Sequence, residues 1–438
     1  MRILLSIWLL LALCGTLRAQ EYTPSYGREA SRSRIIAYPT PQEATAATTD
    51  ENNLYYTRID DWTQAGNRFT APATVPFAWA NRRVMLHVEE VSADYELRVN
   101  GRTVAYDANG NTPAEYDLTR VLQEGANTLE IVVSEPSATA RLESWKESPA
   151  PAVGRTWLQS LPMMHIREVA IANRRNDAGD DFLLAEVGIV VATGSLNPRT
   201  SRIYYELLTP DGRQAAVGHS DMTLDMRRED TLRFLARIPD SLQWSAARPT
   251  RYTLRLKTQH EGRYGEYIEL RPGFRTVGTA NGRLLINDIP QELRIRDIDP
   301  KIGAEALQTL REAGYNTLRL LPGAVAESLY DRCDSMGFYL IVAAPVDTHR
   351  SGESRRKGGN PSNDPAWQGA YLERTEATYH AAKRHPSVVA FALAQQSSNG
   401  INLYETYLKM KRFNDPRPML YPDAAGEWNS DRLRTDRK

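Results

Sequence analysis

Cysteine is scarce in this chain, which has two among its 438 residues. Cys14 lies in an apolar leader that we predict to be removed, and Cys333 lies in a stretch with helical spacing. A disulfide framework is therefore excluded, and packing has to hold the fold together. No histidine or asparagine pattern accompanies Cys333, so we expect it in the core and not as a nucleophile.

The chain also lacks an excess of charge, because 54 lysines and arginines balance 54 aspartates and glutamates. This balance provides no basic field for nucleic acid or for an anionic membrane. A phosphate-binding loop, a dinucleotide fingerprint and a hydrolase nucleophile elbow are all missing. Carboxylates with metal-ligand spacing are missing as well. We therefore expect no nucleic-acid partner, no cofactor and no metal.

Long apolar runs are absent except at the start, where residues 3–13 follow Arg2. This run is too short to span a bilayer, and Ala19 offers a small residue for cleavage before Gln20. We predict a signal peptide over 1–19 and a mature chain without a transmembrane segment. The protein would then be periplasmic, associated with the outer membrane, or secreted. Lipidation at Cys14 is the weaker alternative, because a bulky leucine precedes that cysteine.

The mature chain begins with polar residues and then reads as short strands. We expect an extended arm over 20–53, a β-sandwich over 54–178 and an immunoglobulin-like sandwich over 179–279. Asn-Gly at 100–101 is a strong hairpin signal, and Thr-Pro-Asp-Gly at 209–212 is a turn.

From residue 280 to 425 strands alternate with helices, which predicts parallel β/α units. We count about five strands, whereas a closed barrel of this kind has roughly eight. The predicted fold class is therefore multidomain β plus α/β, ending in a partial (β/α) barrel and a charged tail over 426–438. Such a half barrel would leave edge strands unpaired and an apolar interior open.

Several segments resemble the β-galactosidase branch of glycoside hydrolase family 2. Residues 95–106 (YELRVNGRTVAY) and 112–119 (TPAEYDLT) resemble the sugar-binding jelly roll of that family. Residues 363–367 (NDPAW) and 385–388 (HPSV) resemble its barrel. The resemblance implies a jelly roll, an immunoglobulin-like sandwich and a TIM barrel, and it implies a retaining β-glycosidase that uses two carboxyl groups.

The stretch 391–400 (FALAQQSSNG) departs from the family where the chemistry would sit. The family's strand ends W-S-x-G-N-E-S, in which Glu is the acid/base and the preceding Asn holds a sugar hydroxyl. Here these positions are Gln396 and Gln395, and a carboxamide cannot exchange a proton near neutral pH. The chain also ends before the family's second catalytic Glu. The resemblance therefore implies a homologue with no intact catalytic residue.

Further site residues follow from the resemblance. Arg294 and Arg319 match positions that line the family's pocket floor, although they could equally brace the barrel through ion pairs. His349 and Asn399 are candidate contacts for sugar hydroxyls, although a lone loop histidine is more often a surface residue. Glu427 could be offered as a replacement carboxylate, but it falls in the tail-like segment.

Three tryptophans could stack on sugar faces: Trp145, Trp157 and Trp367. Trp367 follows Asp364-Pro365 at a helix start, so we expect it in the core.

The leading interpretation is an exported, non-catalytic homologue that binds a carbohydrate or a protein partner covering the open barrel. One alternative is an active β-galactosidase or β-glycosidase, completed by another chain or using relocated carboxylates. The other is a structural or assembly component of the cell envelope.

Overall fold

A computed structural model describes residues 22–46, 53–147, 149–175, 177, 179–226, 228–356 and 358–434. The predicted signal peptide and Cys14 lie outside these residues. The arm contains one helix, α1 (Pro41–Ala46). Elsewhere it is mostly extended and runs between domains, bridging to Tyr106 through Tyr26 and to Tyr267 through Tyr38.

The first sandwich has nine strands in two sheets, ordered β1-β9-β4-β7 and β2-β3-β8-β5-β6. The strands are β1 (Tyr56–Arg58), β2 (Thr63–Ala65), β3 (Arg68–Val75), β4 (Arg83–Val88), β5 (Tyr95–Val99), β6 (Arg102–Asp107), β7 (Ala114–Asp117), β8 (Gly125–Val133) and β9 (Thr156–Leu161). Alternating side chains of strands such as β5 are buried, as Leu97 shows, and they form one core between the sheets.

The second sandwich has seven strands in two sheets, ordered β10-β11-β14 and β13-β12-β15-β16. The strands are β10 (Met164–Arg174), β11 (Phe182–Thr193), β12 (Arg199–Leu208), β13 (Gln214–Leu224), β14 (Glu229–Pro239), β15 (Thr253–His260) and β16 (Arg263–Leu270). Because β10 pairs along its length with β11, this sandwich starts near residue 164 and not at 179. Strand alternation alone cannot show which sheet a strand joins.

The last part is a five-stranded parallel sheet ordered β20-β21-β22-β23-β24, preceded by a small antiparallel sheet ordered β17-β18-β19. The strands are β17 (Val277–Ala280), β18 (Arg283–Ile286), β19 (Ile289–Pro290), β20 (Ile295–Ile298), β21 (Thr317–Leu320), β22 (Tyr339–Ala343), β23 (Val388–Ala392) and β24 (Met419–Leu420). The helices are α2 (Ala304–Glu312), α3 (Glu327–Met336), α4 (Gln368–Ala382) and α5 (Ile401–Lys411). Short 3-10 turns occupy Phe77–Trp79, Ala140–Leu142, Asp240–Leu242, His349–Ser351, Pro361–Asn363, Pro365–Trp367 and Pro422–Ala424.

The partial barrel confirms the predicted α/β class. Its helices pack on one face of the sheet in a core that contains the buried Cys333, as expected. Helix α3 begins at Glu327. It ends at Met336, and the following Gly337 has a left-handed φ of 78°. A Cβ at that position would lie 2.2 Å from the Ala246 carbonyl oxygen. Both the left-handed backbone and this close approach therefore require glycine.

The open barrel differs from the expectation of an unpaired edge and an apolar interior. At the β24 edge, the Asp431 amide donates to the Met419 carbonyl (2.9 Å), and the Asp431 carboxylate accepts from the Met419 amide (2.8 Å). Ser430 accepts from the Tyr421 amide (2.9 Å). The segment 428–434 therefore covers this edge. The concave face carries the ion pair of Arg319 with Asp297, so it is partly polar.

Across the described ranges, each helix is too short or too polar to cross a lipid bilayer.

Candidate functional site

The residues of interest meet at the carboxyl end of the half barrel, where β23 runs on into the segment 393–399. The Gln395 backbone amide donates to the Val346 carbonyl (2.8 Å). The segment 393–399 is therefore hydrogen-bonded to the loop that follows β22. The Gln395 side chain donates through Nε2 to the Leu320 carbonyl at the end of β21 (3.1 Å). Gln395 is therefore half-buried and bridges non-neighbouring strands.

Gln396, the next residue, is exposed. Its φ of 37° lies in the left-handed region, which is uncommon for a residue with a Cβ and marks local strain. Among the described residues its side chain has no hydrogen-bond partner. The position that resembles the family's acid/base thus carries a neutral amide with free donors and acceptors.

Asp347 and His349 form a couple beside these glutamines. Asp347 Oδ1 accepts from the His349 backbone amide (3.1 Å) and contacts His349 Nδ1 (2.8 Å). The Asp347 side chain is 6% exposed, whereas that of His349 is 45% exposed. The structure therefore joins His349 to a buried carboxylate and leaves the rest of its ring open to solvent.

The same Asp347 ties the jelly roll to the barrel through its backbone. Its amide donates to the Leu142 carbonyl (2.8 Å), and its carbonyl accepts from the Ser144 amide (2.9 Å). Glu143, Asp347 and Gln395 thus lie side by side in two parallel bridges. A loop of the first sandwich forms one wall of the site.

A buried charge cluster stands behind that wall. Glu143 Oε1 accepts from Arg374 of α4 (2.8 Å), and its Oε2 accepts from Lys146 (2.9 Å). Arg374 also donates to the carbonyls of Pro345 (3.1 Å) and Ala108 (3.0 Å). Burial alone would raise the pKa of Glu143, but the two cations outweigh burial and lower it. Glu143 is therefore a structural carboxylate that remains ionised.

The other predicted residues are dispersed. Arg319 lies in β21 and makes a two-pronged pair with Asp297, through Nε (2.8 Å) and Nη2 (2.6 Å). Arg294 precedes β20, so it lies at the amino end of the sheet, away from the glutamines. Asn399 exchanges hydrogen bonds with Asn429 (2.9 and 3.3 Å). Its amide is thus largely taken up by the segment that covers the edge.

Of the tryptophans, Trp367 is 1% exposed, which confirms its expected place in the core. Trp157 is 2% exposed and stacks on His87 at 4.8 Å, so a sugar cannot reach its face. Trp145 is half-buried beside Lys146.

A cleft of about 710 Å³ runs over the concave face of the sheet. Arg319, Ile341 and Ala392 form its floor, and the segment 421–434 forms the opposite wall. Glu427 lines this wall and is exposed. Tyr421 connects the cleft to the glutamines, because its hydroxyl donates to the Ser397 carbonyl.

Comparison with known proteins places this chain in a family. Residues 36–148 match the sugar-binding domain of glycosyl hydrolases family 2, and residues 291–436 match the TIM barrel domain of the same family. The chain belongs to glycosyl hydrolase family 2. A beta-galactosidase from Priestia megaterium is 25% identical over 370 residues, which is 78% of this chain and 35% of that protein.

Solved structures of the family share the fold. A beta-glucuronidase from Bacteroides uniformis superposes with a TM-score of 0.68 at 13% identity, covering 90% of this chain and 52% of that one. A beta-D-glucuronidase from Dictyoglomus thermophilum gives a TM-score of 0.65 at 16% identity, covering 91% and 73%. The chain spans about a third of the length of the curated relatives it matches.

Several residues of this family 2 site were missed by sequence reasoning. Asp347 was not singled out from the sequence, yet its spacing of two from His349 is a signal for a side-chain couple. Glu143 was not singled out either, because its partner Arg374 lies 231 residues later in the chain. Asp423, which accepts from the Ser397 amide (3.1 Å), has no local signal because its partner lies 26 residues earlier.

Proposed function

We propose that this family 2 protein binds carbohydrate without hydrolysing it, and that it acts after export. The observation that carries the proposal is the pair Gln395 and Gln396 at the carboxyl end of β23. Retaining hydrolysis needs one carboxyl group that gives and takes a proton and a second that attacks the sugar. A carboxamide at the first position can hold a hydroxyl, but it cannot relay the proton.

The polar groups around the glutamines suit sugar hydroxyls. The Gln396 amide is exposed and free among the described residues, and the half-exposed His349 ring is held by Asp347, which bridges to the neighbouring Gln395. Both groups can donate and accept, as a hydroxyl requires. The adjoining cleft is large enough for a saccharide unit. Binding in such a site would rest on several modest hydrogen bonds.

A relocated catalytic carboxylate is the rival mechanism, and Asp347 would be its best candidate. Its Oδ1 already accepts two hydrogen bonds from His349, and its side chain is nearly buried. This arrangement favours a role in orienting the loop. A protein partner is the other occupant that the cleft could take.

The proposal is tested by isothermal titration calorimetry after a glycan array has found a ligand. Gln396→Ala should weaken binding by about threefold to tenfold, the value of one or two hydrogen bonds. Gln214→Ala is the matched control, since it removes an exposed amide on the second sandwich. The proposal is wrong if no glycan binds, or if Gln396→Ala binds as tightly as the control variant.

A further inference from the structure

A groove of about 820 Å³ crosses the outer face of the second sandwich. Its floor is the sheet ordered β13-β12-β15-β16, and one wall is helix α1 of the arm. The inward side chains of this sheet, such as Ile203, Leu256 and Ile268, pack in the sandwich core. The groove therefore takes its side chains mainly from the residues that alternate with them. Among the described residues, none of 393–399 lines the groove, so a ligand bound there is separate from the glutamine site.

Strand pairing arranges the side chains of the floor in two neighbouring rows, one charged and one with an aromatic ring at each end. Each row takes one residue from β12, one from β15 and one from β16, and directly opposite residues on one face of a sheet lie about 5 Å apart. The rows are Glu206, Arg255 and Glu269 in the charged row, and Tyr204, Lys257 and Tyr267 in the aromatic row.

The charged row is fixed by its own contacts. Arg255 contacts Glu269 through Nε (3.0 Å) and Glu206 through Nη1 (3.6 Å). Thr45 of α1 donates to the same Glu269 carboxylate (2.9 Å), so the wall and the floor are joined. Arg271, from outside the lining, also pairs with Glu269 (2.5 Å). Two guanidinium groups thus balance two carboxylates, and the row holds polar groups at set positions without a net charge.

The aromatic row holds rings and one ammonium group at the surface. Lys257 Nζ lies 4.8 Å from the ring centre of Tyr204 and 4.7 Å from that of Tyr264, which is 45% exposed. The Tyr204 hydroxyl donates to Gln259 (2.9 Å), which fixes that ring. The Tyr267 ring is half-buried and meets Tyr264 at 5.6 Å with a tilt of 44°. Tyr267 lies on β16, the strand on which α1 packs, so its ring stands between the floor and the wall.

The lining distinguishes between classes of ligand. An extended peptide binds a sheet mainly through main-chain hydrogen bonds at an edge, whereas this groove lies over a face whose backbone is already paired. A phosphate needs converging cations, and here two cations in the lining face two carboxylates. A pyranose has a face of C–H groups and a rim of hydroxyls, which match a row of rings beside a row of polar groups. The volume is typical of ligand sites, which enclose about 300–1,000 Å³.

We propose that this groove binds an oligosaccharide and is a second carbohydrate site of the chain. The Tyr267 ring packs against the C–H face of one sugar unit. The Lys257 ammonium and Arg255 Nη2, which is not used in the two ion pairs of Arg255, donate to the hydroxyls. The site is built from the arm and the second sandwich, so it does not depend on the half barrel.

Saturation-transfer difference NMR with cellohexaose, mannohexaose, xylohexaose and maltohexaose tests the proposal, each probe being titrated to give a Kd. At least one probe should bind the wild-type protein saturably. Tyr267→Ala should weaken that binding about tenfold, the value of one ring contact. Tyr267→Phe keeps the ring and should bind as the wild type does. Both variants should fold, because the side chain lies on the outer face and the strand pairing of the backbone is kept.

Phe77→Ala is the control, since it removes a ring that is 76% exposed on the first sandwich. It should leave the Kd unchanged. The proposal is overturned if no probe binds, if Tyr267→Ala binds as tightly as Phe77→Ala, or if Tyr267→Phe loses as much affinity as Tyr267→Ala. Loss of binding in Gln396→Ala but not in Tyr267→Ala would also overturn it, and would leave the glutamine site in place.

Discussion

Replacing Glu143 by glutamine tests whether the buried charge cluster fastens the first sandwich to the half barrel. The substitution keeps the shape of the side chain and removes its charge. Arg374 and Lys146 would then face each other across a neutral amide in a site where the Glu143 and Arg374 side chains are 3% and 1% exposed. Breaking a buried pair from one side costs about 3–5 kcal/mol. Arg374 keeps two carbonyl partners, so we expect the lower value, about 3 kcal/mol.

The loss should be local, because a chain of several domains does not unfold in one step. Hydrogen exchange followed by mass spectrometry in increasing urea measures the opening free energy of peptides covering 140–147 and 345–350. Glu96→Gln is the control, since the Glu96–Arg98 pair is 40% and 29% exposed and should contribute less than about 1 kcal/mol. If Glu143→Gln lowers the opening free energy of these peptides as little as Glu96→Gln does, the cluster does not fasten the two domains.

Three further predictions concern other parts of the molecule. Burial alone would lower the pKa of His385, but Asp334 and Glu327 raise it to about 9 in the folded state, so its protonation stabilises the fold fully below the unfolded pKa of about 6.5, and this stabilisation is lost as pH rises through 9. The difference in Tm between the wild type and His385→Gln should therefore become smaller from pH 7 to pH 10. A difference in Tm that stays constant would contradict this prediction. Asp431→Ala removes the hydrogen bonds of this carboxylate to the Met419 amide, Tyr407 (2.6 Å) and Lys411 (2.9 Å). The rate of hydrogen exchange at the backbone amides of 419–421 should therefore rise by about tenfold or more. Glu427→Ala, at an exposed position, is the control and should leave that rate unchanged. Gln396→Gly relieves a left-handed φ and should raise stability by about 1 kcal/mol in thermal unfolding, and a lowered Tm would show that the backbone there is not strained.

The order of the domains could be predicted from the sequence because strand alternation and helix spacing are local signals. The alternation of strands and helices over 280–425 predicted parallel β/α units with about five strands, and the described residues there form a five-stranded parallel sheet. The boundary of the second sandwich was placed too late, because β10 alternates like the strands before it and only its pairing with β11 reveals its sheet.

The site was harder to predict because its contacts join distant segments. The bridges from Glu143 to Asp347 and from Asp347 to Gln395 join residues that are far apart in the sequence, and no spacing rule reports them. The cover over β24 is equally non-local, because Asp431 is one charged residue among several in a tail. Gln395 and Gln396 were identified because the strand end resembles the family's W-S-x-G-N-E-S, in which the Glu transfers the proton.

Turnover of aryl β-glycosides at high protein concentration tests the central claim most directly. Purified protein at about neutral pH is incubated with aryl β-galactoside and β-glucuronide, and phenol release is compared with a protein-free blank. We expect release at the rate of the blank, because the exposed amide of Gln396 cannot protonate a leaving group. Saturable release by the wild-type protein that disappears in Asp347→Asn or Gln396→Ala would contradict the account.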